Sequence, residues 1–278
     1  MSYAAQASPI ESKNGWKACL SLSFEKGPSR PIVRRRHTGP LTIQRPFFPE
    51  ESVAHVYLLH PPGGVVGGDE LSINARAHSG AAGLVTTPGA TKFYRSNGLI
   101  SSMEQVLEVT AGSLEWFPQE NIFFNACNAV LSTTVNTDND AAWALWDIHC
   151  FGRPASNDVF ESGSVSARLN VLVNGVPTFM DRLIVDENHP LSRRTALRGH
   201  SVSGTLLLNK MTTDCAEIAR KTLHEHPEFF VTLVDSLLVV RYLGDSAQQA
   251  KDGFTEVWSN LRYLLNQRVA CAPRIWAT

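Results

Sequence analysis

The chain predicts a mostly β protein whose C-terminal third is α+β. Three observations carry that reading. From Trp16 to about Val135, short apolar stretches alternate with turn residues, and helical periodicity never lasts more than a turn or two. Around Asn174-Gly175, two alternating runs meet at the dipeptide that best supplies the positive φ angles of a type I′ hairpin turn. Two amphipathic stretches with capping residues follow near the C-terminus.

Taken in order, "VAHVYLLH" (Val53 to His60) and "LSINARAH" (Leu71 to His78) are strands. The second places Leu71, Ile73, Ala75 and Ala77 on one face, as the two-residue period of a strand requires. Further strands are expected at "GLVTT" (Gly83 to Thr87), "MEQVLEVT" (Met103 to Thr110), "SLEWFP" (Ser113 to Pro118) and "AVLSTTV" (Ala129 to Val135). Their even spacing fits a sandwich, a barrel or a β-helical stack. Asp138 is placed to cap a helix through "NDAAWALWDIHCFG", where Trp143, Trp146 and His149 recur at three-residue steps until Gly152 and Pro154. "SARLNVLVNGVPTFMDRLIV" is the hairpin. "TTDCAEIARKTLHEH" (Thr212 to His226) is a helix, "FFVTLVD" and "LLVVRYLG" are strands, and Ser246 to Leu265 form a last helix. With no linker or fixed repeat, residues 1–278 are expected to form one domain, with residues 1–14 flexible.

Twenty-five Lys plus Arg against 26 Asp plus Glu leave a formal charge of -1, so no global field favours a nucleic acid. The one local basic run, Arg34-Arg35-Arg36-His37, reads as solvated surface. Five widely spaced cysteines without a CxxC pair point to a reducing compartment. With no signal-like start and no long apolar run, the expectation is a cytoplasmic protein that engages no membrane.

The loop "LLHPPGGVVGGDEL" (Leu58 to Leu71) raises the question of a phosphate cradle. Its spacing does not match G-x-G-x-x-G, no Gly-Lys-Ser/Thr follows, and a strand rather than a helix comes next. Gly63, Gly64, Gly67 and Gly68 therefore read as residues that let a backbone turn tightly or approach another surface, presenting Asp69 and Glu70. A second dense loop, "TTPGATKFYRSNG", carries Lys92, Tyr94 and Arg95, which suit an interface or an acid-facing pocket, with Lys92 and Arg95 as candidates to pair with carboxylates such as Asp69 and Glu70. Glu115 and Glu120 flank aromatic residues; an apolar setting would suit acid–base work, but the ordinary place for such glutamates is a strand end in water. No nucleophile signature accompanies them. Among nine histidines the one close pair, His224-x-His226, reads as an exposed helix end, so no tightly bound cofactor or metal is expected.

"GPLTIQRPFFPE", "LLHPPGGVVGGDEL", "TTPGATKFYRS", "LEWFPQENIFF", "WDIHCFGRP" and the terminal "PRIWAT" together resemble the urease accessory protein UreD (UreH) family, from about Gly15 to Thr278. The resemblance implies an elongated helicoidal β-structure with a few helices. It implies a non-enzymatic scaffold that binds apo-urease, recruits UreF and through it the GTPase UreG, and passes nickel transiently along an acidic internal passage. Carried over motif by motif, the passage residues would be Asp69, Glu70, Asp147 and Asp181, the last where other members carry Glu, one methylene longer. Scattered carboxylates suit transit, because tight His and Cys clusters would trap the ion. Lys92, Tyr94, Arg95 and Glu120, with the four loop glycines, are the interface candidates. Two rivals are a purely structural adaptor without a passage, and a small-molecule enzyme with a pocket at loops 60–70 and 86–98.

Calorimetric titration with a nucleotide is expected to show no binding; a micromolar constant would restore the phosphate cradle.

Overall fold

The computed structural model describes residues 15–277, so the expectation of a flexible stretch over residues 1–14 lies outside the described residues. The first strands are β1 (Lys17–Glu25), β2 (Ile32–Thr38), β3 (Thr42–Ile43), β4 (Ala54–Leu59), β5 (Glu70–Ala77) and β6 (Ala82–Thr86). β7 (Thr91–Phe93), β8 (Ser101–Val109), β9 (Ser113–Phe117), β10 (Asn121–Phe123), β11 (Asn128–Thr137) and β12 (Ala142–Arg153) follow. After β13 (Asp158–Val159), β14 (Ser164–Val173) and β15 (Val176–Val185) form a hairpin. The chain then runs through β16 (Val202–Leu208), helix α1 (Thr213–Thr222), β17 (Phe229–Val234), β18 (Leu237–Gly244) and helix α2 (Ala247–Asn266).

From β4 to β14 the chain winds as a flattened coil between two sheets. β4, β6, β9 and β12 pair in parallel in one sheet. β5, β8, β11 and β14 pair in parallel in the other. Antiparallel strands border both coils, and neither sheet closes on itself. This settles the open choice between sandwich, barrel and stack in favour of a helicoidal stack with two helices. Where the coil turns, Phe93, Phe123 and Phe151 stand in register on β7, β10 and β12, with ring centroids 5.2 Å apart at each step. Identical side chains on successive parallel coils stack because each coil repeats the geometry of the one before.

Two apolar layers result. Between the sheets lie Phe24, Ile73, Leu107, Leu131, Trp143 and Leu145 among others. Among the polar groups there is Gln105, which accepts from Trp116 Nε1 at 3.0 Å and donates to Thr133 at 3.2 Å. The second layer sits between the other face of the β12 sheet and the helices, where Trp146, Phe117, Phe254 and Trp258 pack. The buried stripe of α2 (Ala250, Phe254, Val257, Trp258, Leu261, Leu265) has helical period.

The hairpin forms as expected: Asn174 and Gly175 both have positive φ, at 51° and 79°. α1 begins at the Thr212 cap and α2 at the Ser246 cap, also as expected. The helix expected over "NDAAWALWDIHCFG" is instead β12, a strand buried on both faces. Trp143 and Trp146, which a helical reading puts on one side, point to opposite layers. A continuous apolar run carries no strand period when both faces are covered, as in a central parallel strand. Asp138 does not cap a helix; its carboxylate accepts from the backbone N–H of Ala111, Asp140 and Ala141 and so closes the turn into β12.

Trp146 stacks on Phe117 at 4.4 Å and donates to the Pro118 carbonyl. Trp146→Ala should cost about 3–5 kcal/mol of unfolding free energy, read as a lowered urea midpoint.

Candidate functional sites: a buried ion cluster and an arginine-rimmed cleft

The glycine loop is held by its own aspartate. Asp69 is buried, and its two oxygens accept from the backbone N–H of Trp16 at 2.8 Å and of Val66 at 2.9 Å. Gly64 lies under Tyr94, where a Cβ would enter the ring, and Gly68 has a φ of +97°. Gly67 sits against Asn97 and Leu99, while Gly63 is exposed at the tip. The loop glycines thus let two loops close on each other. Glu70 is exposed and pairs with Lys17 at 3.2 Å. Among the described residues neither Lys92 nor Arg95 pairs with Asp69 or Glu70, which corrects the expected pairing: the carboxylates already have nearer partners. Tyr94 packs tilted against Phe124, ring centroids 4.9 Å apart, and Arg95 is exposed.

Between these loops lies a cavity of about 470 Å³, lined by Leu58, His60, Gly64, Thr87, Lys92 and Met103 among others. Its titratable side chains are His60 and Lys92. Burial pushes the His60 pKa down, against the pull of the Asp69 charge. No carboxylate or thiol lines the cavity.

Glu115 departs from the strand-end expectation. It lies mid-strand in β9, 1% exposed, facing the helices. Arg262 of α2 donates to both of its oxygens, at 2.9 and 2.7 Å, and Trp258 donates at 2.7 Å. The same guanidinium reaches both oxygens of Glu50, at 2.5 and 2.9 Å, and the Val269 carbonyl at 2.6 Å. Burial alone would lower the Arg262 pKa, but Glu115 and Glu50 reverse this and hold it raised. His55 binds Glu50 at 2.7 Å, and Cys271 lies close by, so Glu50, His55 and Cys271 form a group of possible metal ligands. Both oxygens of Glu50 are already engaged by Arg262, which makes this an ion-paired core rather than an open ligand set. Glu50 with His55, Glu115, and Arg262 with Cys271 come from three separate parts of the sequence, and no local spacing joins those parts. Glu120, half-buried, is near enough to Cys150 to add to its raised pKa; burial is the larger cause, and the thiol is pushed up to about 12.

Asp147 and Asp181 come together in a second cleft, of about 410 Å³, at one open side of the stack. Asp147 projects from β12 between the sheets, accepting from Asn121 at 3.0 Å with His149 Nε2 at 3.3 Å. His149 Nδ1 is buried without a partner. Asp181 on β15 receives Arg241 of β18 at 2.7 Å, a contact that ties one sheet to the other. The cleft lining also holds Arg168, Arg182, Arg194 and Arg198, none of which sequence spacing singled out. Asp69 and Glu70 lie outside it. Among the described residues no hydroxyl or thiol is hydrogen-bonded to a histidine; the nearest approach is Asp245, which holds His200 and Ser201 on separate oxygens.

Fold and sites together define a helicoidal β-stack protein with ion-paired core charges and open clefts. A family model described as UreD urease accessory protein matches residues 17–277. A Urease accessory protein UreD of Aliivibrio fischeri (strain MJ11) is 42% identical, covering 96% of this chain and 98% of its own. Proteins of the same name from Alcanivorax borkumensis (40% identical, covering 95% of this chain and 93% of their own) and Klebsiella aerogenes (39%, 96% and 98%) are also similar. The chain belongs to the UreD family of urease accessory proteins.

Arg262→Met should destabilise the protein by about 3–5 kcal/mol, because Glu115 is left charged and buried; chemical denaturation measures it. Burial would raise the Glu50 pKa, but hydrogen bonds and charge from His55 and Arg262 hold it below its ordinary 4.5. A lowered folded-state pKa gives stability that is present above pH 4.5 and lost as pH falls through the depressed value. Glu50→Gln should flatten the urea-midpoint profile in that acid window.

Proposed function

We propose that the protein is a scaffold in urease maturation. It binds apo-urease, recruits UreF and through it the GTPase UreG, and helps deliver nickel to the urease active site. Family membership supports the urease role. The observation that carries the finer reading is the meeting of Asp147 and Asp181, from different sheets, in one open cleft between those sheets. Two carboxylates, their hold on a cation weakened by the arginines of the same cleft, make a weak site for a hard or borderline divalent cation, from which the ion can leave. Nickel is here cargo in transit, not a resident cofactor.

In this reading Asp147 takes its orientation from Asn121, while the unpartnered Nδ1 of His149 leaves room for a polar occupant. Asp69 serves the loop rather than the route, and Glu70 stays on the surface. The rival adaptor without a passage draws on one observation: Arg241 already neutralises Asp181.

Asp147→Ala with Asp181→Ala should lower urease activation in cells while leaving co-purification with UreF intact. Wild-type activation by the double variant would leave the adaptor reading. The wild-type protein should co-elute with UreF at micromolar concentration, and separate elution would remove the recruitment step.

A further inference from the structure

The cleft that holds Asp147 and Asp181 is rimmed by an excess of positive charge. Five arginines (Arg168, Arg182, Arg194, Arg198 and Arg241) stand against those two aspartates. Arg241 is taken by Asp181, and Arg198 Nε donates to the Arg194 carbonyl. Arg168, Arg182 and Arg194 are exposed, and among the described residues none of them pairs with a carboxylate. Arg168 and Arg182 stand directly opposite each other across β14 and β15. Like charges at such a position repel, and a bound anion would relieve that repulsion.

Two further features say what shape that anion has. β15 ends its sheet, so one side of its backbone has no strand partner. Met180, on the same face as Arg182, is 74% exposed. An edge strand accepts an extended segment through main-chain hydrogen bonds, and alternate side chains then meet Arg182 and Arg168. With a formal charge of -1 on the whole chain, the attraction is local to this rim.

We infer that the rim is a docking site for an extended acidic segment of a partner protein, laid along β15 with its carboxylates on Arg168, Arg182 and Arg194. Arginine forks hold carboxylates in paired geometry, which suits Asp and Glu side chains. The docking claim does not require that a cation crosses.

The test is fluorescence anisotropy of a labelled octaglutamate peptide with the full chain. Wild type should bind saturably, and more weakly as salt is raised. Arg168→Ser/Arg182→Ser/Arg194→Ser should weaken binding about tenfold or more while the melting temperature holds. Arg34→Ser/Arg35→Ser/Arg36→Ser, on the remote edge strand β2, should leave the affinity unchanged. Equal affinities for wild type and the cleft variant, or an equal loss in the β2 variant, would overturn the site. So would a single-stranded DNA 12-mer that binds more tightly than the peptide, or inorganic phosphate that displaces the peptide far better than chloride at matched ionic strength. Because no nickel enters the assay, its failure is separate from failure of the passage.

Discussion

One guanidinium holds the layers in place. Arginine has five N–H donors, and Arg262, fully buried, makes five hydrogen bonds to Glu115, Glu50 and the Val269 carbonyl. Those partners come from β9, from the loop before β4 and from the tail after α2. Buried ion pairs add little net stability over an apolar packing of the same volume, yet they are costly to break. Apolar side chains alone would let α2 slide along the sheet; the bidentate contacts to Glu115 accept one register. Trp258 adds its indole N–H to the same carboxylate, one turn away. The aromatic layer around Trp146 is then packed against a helix whose position is already set.

Most of the architecture could be read from the sequence because its signals are local. Half-covered strands such as β5 and β11 alternate cleanly, the Asn174-Gly175 turn fixes its hairpin, and Thr212 and Ser246 mark the helix starts. β12 was misread because its information is not local: covered by sheet on one face and helices on the other, it has no polar alternation to show. The choice of a stack over a barrel was equally hidden, since parallel pairing between strands of successive coils leaves no mark within either strand. The family resemblance supplied it.

The sites divide along the same line. The glycines of the loop announce a tight backbone, and the structure shows its neighbours, Tyr94 and Asn97. The Arg262 cluster includes a hydrogen bond between residues 212 positions apart, and the cleft draws on β12, β14, β15, β16, β17 and β18. Asp147 and Asp181 were reached by family motif rather than by spacing. The arginines around them were missed because each, taken alone, is an ordinary exposed residue of a strand or a turn.

Glu115 precedes its partner Arg262 by 147 residues. A chain growing at about 5–20 residues per second leaves that interval at roughly 7–30 s. Until Arg262 follows, the sheet built by β4, β6, β9 and β12 has its outer face uncovered, with the Glu115 carboxylate beside Phe117 and, once made, Trp146. The half-made product is sticky and electrically unfinished on the same side. Synthesis order therefore leaves that face uncovered until the last helix is made, and α2 acts as the clasp.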